Sequence, residues 1–297
     1  MKLQYLPEGL LLDTDENVRN CQSVAALRTA KLLGTVLEGI AIRCDTAHNL
    51  MIQCGPFRGI IPREACATGI TEGTTKEVAI LSRVGKPVAF CVEEVTEREG
   101  DLLLLGSRKK AQQAALDMLL DTARPGMVLP AAVTHLEPFG TFVDLGCGVV
   151  SMIPIEHSSI SRIGHPRERF FIGQNIFALV TEVSRSLGRL SLSHKELLGT
   201  WAENAALFSA GEIVTGFVRG VMDYGVFIEL APNLTGLADA CSHLLPGDRV
   251  SAYIKTILPE SRKIKLRVME VLPDLKSPPS LHYFVSGGTL SNWNYEA

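Results

Sequence analysis

No run of about 18 apolar residues occurs in this chain, so no transmembrane helix is expected. The opening stretch, residues 1–15, holds one lysine and several acids around a short apolar run, which makes a poor signal peptide. There is no Cys-x-x-Cys pair. The seven cysteines are scattered, with Cys54, Cys91 and Cys147 in apolar surroundings, and reduced, buried thiols in a cytoplasmic protein are the expected state. The seven histidines show no ligand spacing with Cys, Asp or Glu, so no metal is expected, and nothing calls for a cofactor. Gly216–Gly220 is followed by no Gly-Lys-Ser/Thr and is not a phosphate loop. Neither a nucleophile elbow nor a clustered acid–base pair is present, which argues against an enzyme. An excess of positive charge is missing too. The net charge is −3 with 21% charged residues, unlike a protein that coats duplex DNA. A nucleic-acid site would have to be local, built from a few cations helped by stacking.

What the chain does have is repetition. In Glu137–Leu145 (EPFGTFVDL), Phe139 and Phe142 bracket a glycine. Phe142-Val143-Asp144-Leu145 alternates as a two-faced strand, with Val143 and Leu145 turned inward. Asp223–Leu230 (DYGVFIEL) repeats the phrase with Tyr224 and Phe227. The opening glycines (211 − 126) and first aromatics (224 − 139) share an offset of 85, the mark of an internal repeat. A third copy lies in front, with Gly34 and Pro62 each 92 residues before Gly126 and Pro154. At that offset Ala47 and Leu50 stand where Phe139 and Phe142 stand, so the first copy has lost both aromatics.

Five strand candidates in the middle copy, with a long polar connection at Ile155–Gly173, describe a small Greek-key barrel of the OB type. The chain is therefore read as mostly β: three tandem OB-fold five-stranded barrels joined by short helices. The expected divisions are 1–108 (a degenerate barrel, with a helix near Val18–Lys31), 109–125 (helical linker), 126–194 (barrel), 195–210 (helical linker), 211–272 (barrel) and 273–297 (tail). The tail is kept from continuous helix by Pro278, Pro279, Gly287 and Gly288, and its aromatics predict packing onto something. Trp201 is expected to pack between domains.

Aromatics exposed on a barrel face can stack on any base, with cations at the rim pairing with phosphates. Phe139 and Phe142 with Arg185 and Arg189 form one candidate set. Tyr224 and Phe227 with Lys255, Lys263, Lys265 and Arg267 form another. The alternatives are core aromatics and a charged outer strand that discourages edge pairing. The loop cations Arg162, His165, Arg167 and Arg169 read equally as a solvated loop or a phosphate-contacting one.

The phrase Gly-x-Val…Phe-Gly-x-Phe-Val-x-Leu, with Gly173-Gln174 and Arg189–Ser193 (RLSLS), resembles the S1-type RNA-binding repeat. Val133–Gly140, Ser161–Pro166, Lys195–Trp201 and Ile254–Glu260 widen the likeness to the ribosomal protein S1 family, in particular to short three-repeat homologues of Clostridia-like bacteria. That resemblance implies single-stranded RNA binding, most readily messenger RNA during translation. It also implies a site made of Phe139, Phe142, Arg189, Tyr224, Phe227 and Lys263. In the slot where the family carries a histidine stand Pro154 and Asp239, with His157 as a substitute three residues after Pro154. Arg185 occupies the family's acid slot. The resemblance further implies attachment to the small ribosomal subunit through the front barrel, whose acids outnumber its bases and whose Leu50 and Met51 are expected to form an aliphatic docking surface, a degenerate spacer being the alternative. An RNA-binding regulator of decay or stress, away from the ribosome, is the alternative, and ribosome co-sedimentation separates the two.

Overall fold

Alternating branched and polar residues set the strands, and glycines or short polar turns end them. A computed structural model describes residues 5–98, 101–241, 243–273 and 281–296. Two helices open it, α1 (Asp15–Asn20) and α2 (Val24–Leu33). The single helix expected near Val18–Lys31 is divided because Ser23 leaves helical geometry and caps α2, its side chain accepting from the Ala26 amide.

The first barrel follows: β1 (Val36–Cys44), β2 (Leu50–Cys54), β3 (Phe57–Ile61), a short helix α3 (Val78–Leu81), β4 (Pro87–Arg98) and β5 (Asp101–Ser107). It closes in the order β1-β2-β3-β5-β4. Helix α4 (Arg108–Thr122), capped by Ser107, leads to the middle unit. That unit holds β6 (Val128–Glu137), β7 (Gly140–Asp144), β8 (Val150–Pro154), β9 (Asn175–Ser184) and β10 (Arg189–Ser193). Its strand order is the same, but β8 and β10 are not joined by a ladder. After α5 (Trp201–Ala205) come β11 (Ile213–Met222), β12 (Gly225–Ala231), β13 (Leu234–Ala238), β14 (Arg249–Leu258) and β15 (Lys263–Leu272), closed like the first. Each barrel has its own apolar core, centred on Ile52 and Phe90, on Val143 and Ile153, and on Ile228 and Ile254.

The second linker is less helical than expected. Gly199, at φ 80°, separates a 3-10 turn at Lys195–Leu198 from the five-residue α5. Trp201 is buried against the core of the last barrel. The tail packs along both units. Tyr283 meets Phe177 and His194 edge-on, the Leu290 amide donates to the Gly126 carbonyl (2.8 Å), and the Tyr295 hydroxyl donates to the Asn233 carbonyl (2.8 Å). Pro278 and Pro279 lie outside the described residues, as does Glu99 of the acidic stretch in the first barrel.

The barrels are fastened by buried ion pairs. Between the first and second, Glu8 accepts from Arg108 Nε (2.6 Å) and Nη2 (2.9 Å), and its amide donates to Asp144 Oδ2 (2.8 Å). Nearby, Glu38 accepts the Gly9 and Leu11 amides yet is only 1% exposed. Burial outweighs those bonds and pushes the Glu38 carboxyl up to about 7; the charge of Glu8 adds to the shift. Asp144 is pushed up to about 6, again by burial first. A carboxyl raised in the folded state stabilises fully below its ordinary value of 4.5, and that contribution is lost as pH rises through about 7. Thermal stability should therefore fall between pH 5 and 8 by roughly 1–3 kcal/mol from Glu38. In Glu38→Gln that slope should flatten to what Asp144 leaves; an unchanged slope would show that Glu38 is ionised throughout.

Candidate nucleic-acid interface

The first strand of every barrel carries a β-bulge at one place: Ala41/Arg43, Val133/His135 and Val218/Gly220. Just beyond it the cross-strand partners are Met51, Phe142 and Phe227. These three are structural equivalents. Leu50 corresponds instead to Thr141 and Val226, and all three are fully buried. This corrects the alignment by constant offset. The turn of the first barrel inserts Thr46-Ala47-His48 between Asp45 and Asn49, one residue more than Pro138-Phe139 between Glu137 and Gly140. His48 precedes Asn49 as Phe139 precedes Gly140, so neither Ala47 nor Leu50 stands in an aromatic position. Leu50 belongs to the core and offers no docking surface.

In the middle barrel Phe139 is 57% exposed, and its ring meets the half-buried Phe142 edge-on at 6.0 Å and 87°. In the last barrel Tyr224 is 68% exposed and meets the half-buried Phe227 at 6.2 Å and 88°. Each pair thus presents one free ring, propped by a second, on the outside of its barrel. Val143 and Leu145 fill the interior as their alternation requires.

Pairing of the final two strands in each barrel extends the face. Leu103, Arg189 and Lys263 are equivalent, as are Leu105, Ser191 and Lys265. The last barrel runs Phe227–Leu237–Lys265 across neighbouring strands, and the first runs Met51–Ile60–Leu105. Arg189 and Lys263 are exposed; Arg189 lines one groove with Phe142, and Lys263 lies two residues before Lys265 on the strand that continues the Phe227 row. The first barrel has leucine in both places and Met51 in place of the second aromatic, so it lacks the final-strand cation and the propped ring pair, while exposed Arg43 lies opposite Met51 and half-buried His48 takes the Phe139 position.

The remaining sequence candidates are more engaged. Lys255 Nζ donates to Asp239 Oδ2 (2.7 Å), and this ion pair holds the exposed Asp239 carboxyl below its usual range. Arg185 lies in the β9–β10 turn and its Nε donates to the Leu120 carbonyl of α4 (3.1 Å), which directs it to the linker helix. His157 Nδ1 is 3.1 Å from Ser193 Oγ, half-buried beyond β8. Two residues escaped the sequence reading: Met152, opposite Phe142, and the exposed His135, 6.3 Å from the Phe142 ring and paired with Glu137. Only strand register reveals them, because neither lies in the repeated phrase.

The loop Ser158–Arg169 is tied down at one of its four cations. Arg169 is 1% exposed and forks onto Glu229 through Nη1 (2.6 Å) and Nη2 (2.9 Å). Arg219 also donates to Glu229 (2.7 Å) and pairs with Glu168. Burial raises the Glu229 carboxyl, but the two guanidiniums outweigh it and hold it below the usual range. The Ile160 amide donates to Asn233 Oδ1 and the Ser161 amide to the Pro232 carbonyl, both 3.0 Å. The loop latches the middle barrel to the last. Arg162 and Arg167 stay exposed, while His165 caps the turn at Pro166–Glu168. Glu229 and Asp144 occupy equivalent positions two residues after the second aromatic, and both serve barrel junctions.

Among the described residues no group of three or more His, Cys, Asp and Glu is placed to hold a metal ion, and no helix is long and apolar enough to cross a membrane.

With this geometry in hand, comparison with known proteins bears directly on the middle barrel. Residues 122–195 match the S1 RNA binding domain family. The chain is similar to small ribosomal subunit protein bS1 of Staphylococcus aureus strain COL, 29% identical over 250 residues, covering 78% of this chain and 61% of that protein. The protein of the same name from Staphylococcus epidermidis is 28% identical over 240 residues, covering 75% and 59%. The chain thus spans about three fifths of the length of these relatives. Among solved structures, a multidomain protein with nucleic acid binding domains from Streptococcus pneumoniae covers 80% of this chain and 74% of its own, at 13% identity and a TM-score of 0.28. GSP13 from Bacillus subtilis covers 28% and 60%, at 24% identity and a TM-score of 0.24. The S1 match spans the strands that carry Phe139, Phe142 and Arg189. The last barrel, outside that match, carries the same outward aromatic pair at the same register.

Proposed function

We propose that the middle and last barrels bind single-stranded RNA, each through an exposed ring stacked on a base and a cation at the adjoining strand edge. One observation carries this: the edge-to-face pair and its neighbouring cation recur at equivalent register in two barrels, Phe139–Phe142 with Arg189 and Tyr224–Phe227 with Lys263. Stacking is indifferent to base identity, which suits a protein that must hold many sequences. The relatives are named as small-subunit ribosomal proteins, which supports messenger RNA as the ligand, translation as the setting and the cytoplasm as the place. On the same basis the first barrel, with Met51 in place of the second aromatic and leucine in place of the final-strand cation, serves attachment to the small ribosomal subunit rather than RNA contact. No step of this role needs catalysis.

Base faces inside an A-form duplex are hidden in the stack, so an unstructured oligonucleotide should bind at least about tenfold more tightly than a hairpin stem of equal length. Fluorescence titration of the two ligands measures this. Equal affinity would leave phosphate contact alone and remove the aromatics from the site.

A further inference from the structure

Among the described residues, the third and fifth strands are joined by a ladder in the first and last barrels but not in the middle one, and the barrels also differ there in one residue type. In the first barrel Gly59 and Ile60 pair in parallel with Leu104 and Leu105; in the last, Leu237 and Ala238 pair with Lys265 and Leu266. The residue facing the core strand at this point is Gly59 opposite Ile52, Gly236 opposite Ile228, and Ser151 opposite Val143. A Cβ on Gly59 would lie 3.0 Å from both the side chain and the carbonyl oxygen of Leu104. On Gly236 it would lie 2.6 Å from Leu266 and 3.1 Å from the Ile264 carbonyl. Glycine therefore permits closure in those barrels. Ser151 brings a Cβ to the same seam, and the two strands stand apart. Its hydroxyl reaches across and donates to the Leu190 carbonyl (2.6 Å), the counterpart of the Leu104 and Ile264 carbonyls.

The seam opens where it matters. A groove of about 390 Å³ lies along it, lined by Phe142, Ser151, Met152, Arg189 and Ser191 among others. That volume falls within the range of small-molecule sites, roughly 300–1,000 Å³. One wall is a ring of the stacking pair, and one edge is the exposed Arg189. The β8 and β10 backbones, not laddered to each other, border this groove, and the Ser151 hydroxyl bridges them at the Leu190 carbonyl. Specific readout of single-stranded RNA uses this combination: a base splayed from the strand, stacked on an aromatic, with its edge hydrogen-bonded.

We infer that the seam propped open by Ser151 takes one nucleobase of the bound strand and reads its edge, so that the middle barrel discriminates among bases while the closed last barrel does not. This rests on the RNA-binding reading above and adds selectivity to it. Ser151 acts here as a positioning residue through its Cβ, which holds β8 off β10.

The test uses the full chain with Tyr224→Ala and Phe227→Ala, which silences the last face, and short oligonucleotides of A, C, G or U alone. The spread between the tightest and weakest of the four should be about tenfold, the value of one or two edge hydrogen bonds. Ser151→Ala, which keeps the Cβ, should preserve that spread. Ser151→Gly should narrow it to about twofold, with hydrogen exchange at the β8 and β10 amides slowed as the seam zips. Equal affinities in the Ser151 parent would overturn the inference, and so would an unchanged spread in folded Ser151→Gly. Failure of all four to bind the parent, and of each to bind the chain with Tyr224 and Phe227 intact, would instead overturn the RNA-binding reading itself.

Discussion

Phe142→Ala combined with Phe227→Ala should weaken single-stranded RNA binding by roughly 2–5 kcal/mol, because stacking contributes about 1–3 kcal/mol per base. Both rings are half-buried, and each props the exposed ring beside it at about 6 Å. Their removal takes away one stacking surface and loosens a second in each barrel. The cores beneath belong to Val143 and Leu145 in one barrel and Ile228 in the other, so circular dichroism should still show folded barrels. Met51→Ala, at the equivalent place in the first barrel, should leave RNA affinity unchanged. Titration with a labelled oligonucleotide reads both. Unchanged affinity in the folded double variant would remove the outward aromatics from the site.

The second large effect is expected at the junction of the last two barrels. Glu229 is 3% exposed and holds both Arg169 and Arg219. Glu229→Ala leaves two guanidiniums short of their partner, one of them almost wholly enclosed, and removal of one member of a buried pair costs about 3–5 kcal/mol. The acid side of the stability profile should change too. A carboxyl held below its ordinary value stabilises above that value, and the contribution is lost as pH falls through the lower, folded one. The wild-type chain should therefore lose stability below about pH 4.5 in part through Glu229, and Glu229→Gln should remove that part. This is opposite in sign to Glu38, whose contribution fades as pH rises. Chemical denaturation across pH separates the two. A cost below about 1 kcal/mol for Glu229→Ala would mean that the latch is solvated.

Much of the architecture was legible because repetition and alternation are local. Phe142-Val143-Asp144-Leu145 and Phe227-Ile228-Glu229-Leu230 state which face is inward without reference to anything distant. What escaped depends on partners far along the chain. Arg169 looks like any loop cation until Glu229, in another barrel, is seen to hold it. The acids Asp144 and Glu229 repeat in sequence, but that they anchor successive junctions follows only from contacts with Glu8 and Arg169. The extra residue in the turn before Asn49 cannot be placed by a constant offset, since Leu50 and Met51 are both aliphatic. Register settled it, because a shift of one residue exchanges the two faces of a strand. Ser151 is a similar case. Beside Gly59 and Gly236 it is an ordinary substitution in sequence, and its effect lies in the space that a Cβ fills between two strands.

The central claim is that RNA lies on the aromatic faces of the middle and last barrels, and photocrosslinking tests it most directly. A single-stranded oligonucleotide bound to the full chain, irradiated and digested, should leave nucleotide adducts on peptides carrying Phe139–Phe142 and Tyr224–Phe227. Peptides carrying Met51 and Leu103 should remain unmodified. Adducts concentrated on the first barrel, with both aromatic pairs clean, would contradict the assignment.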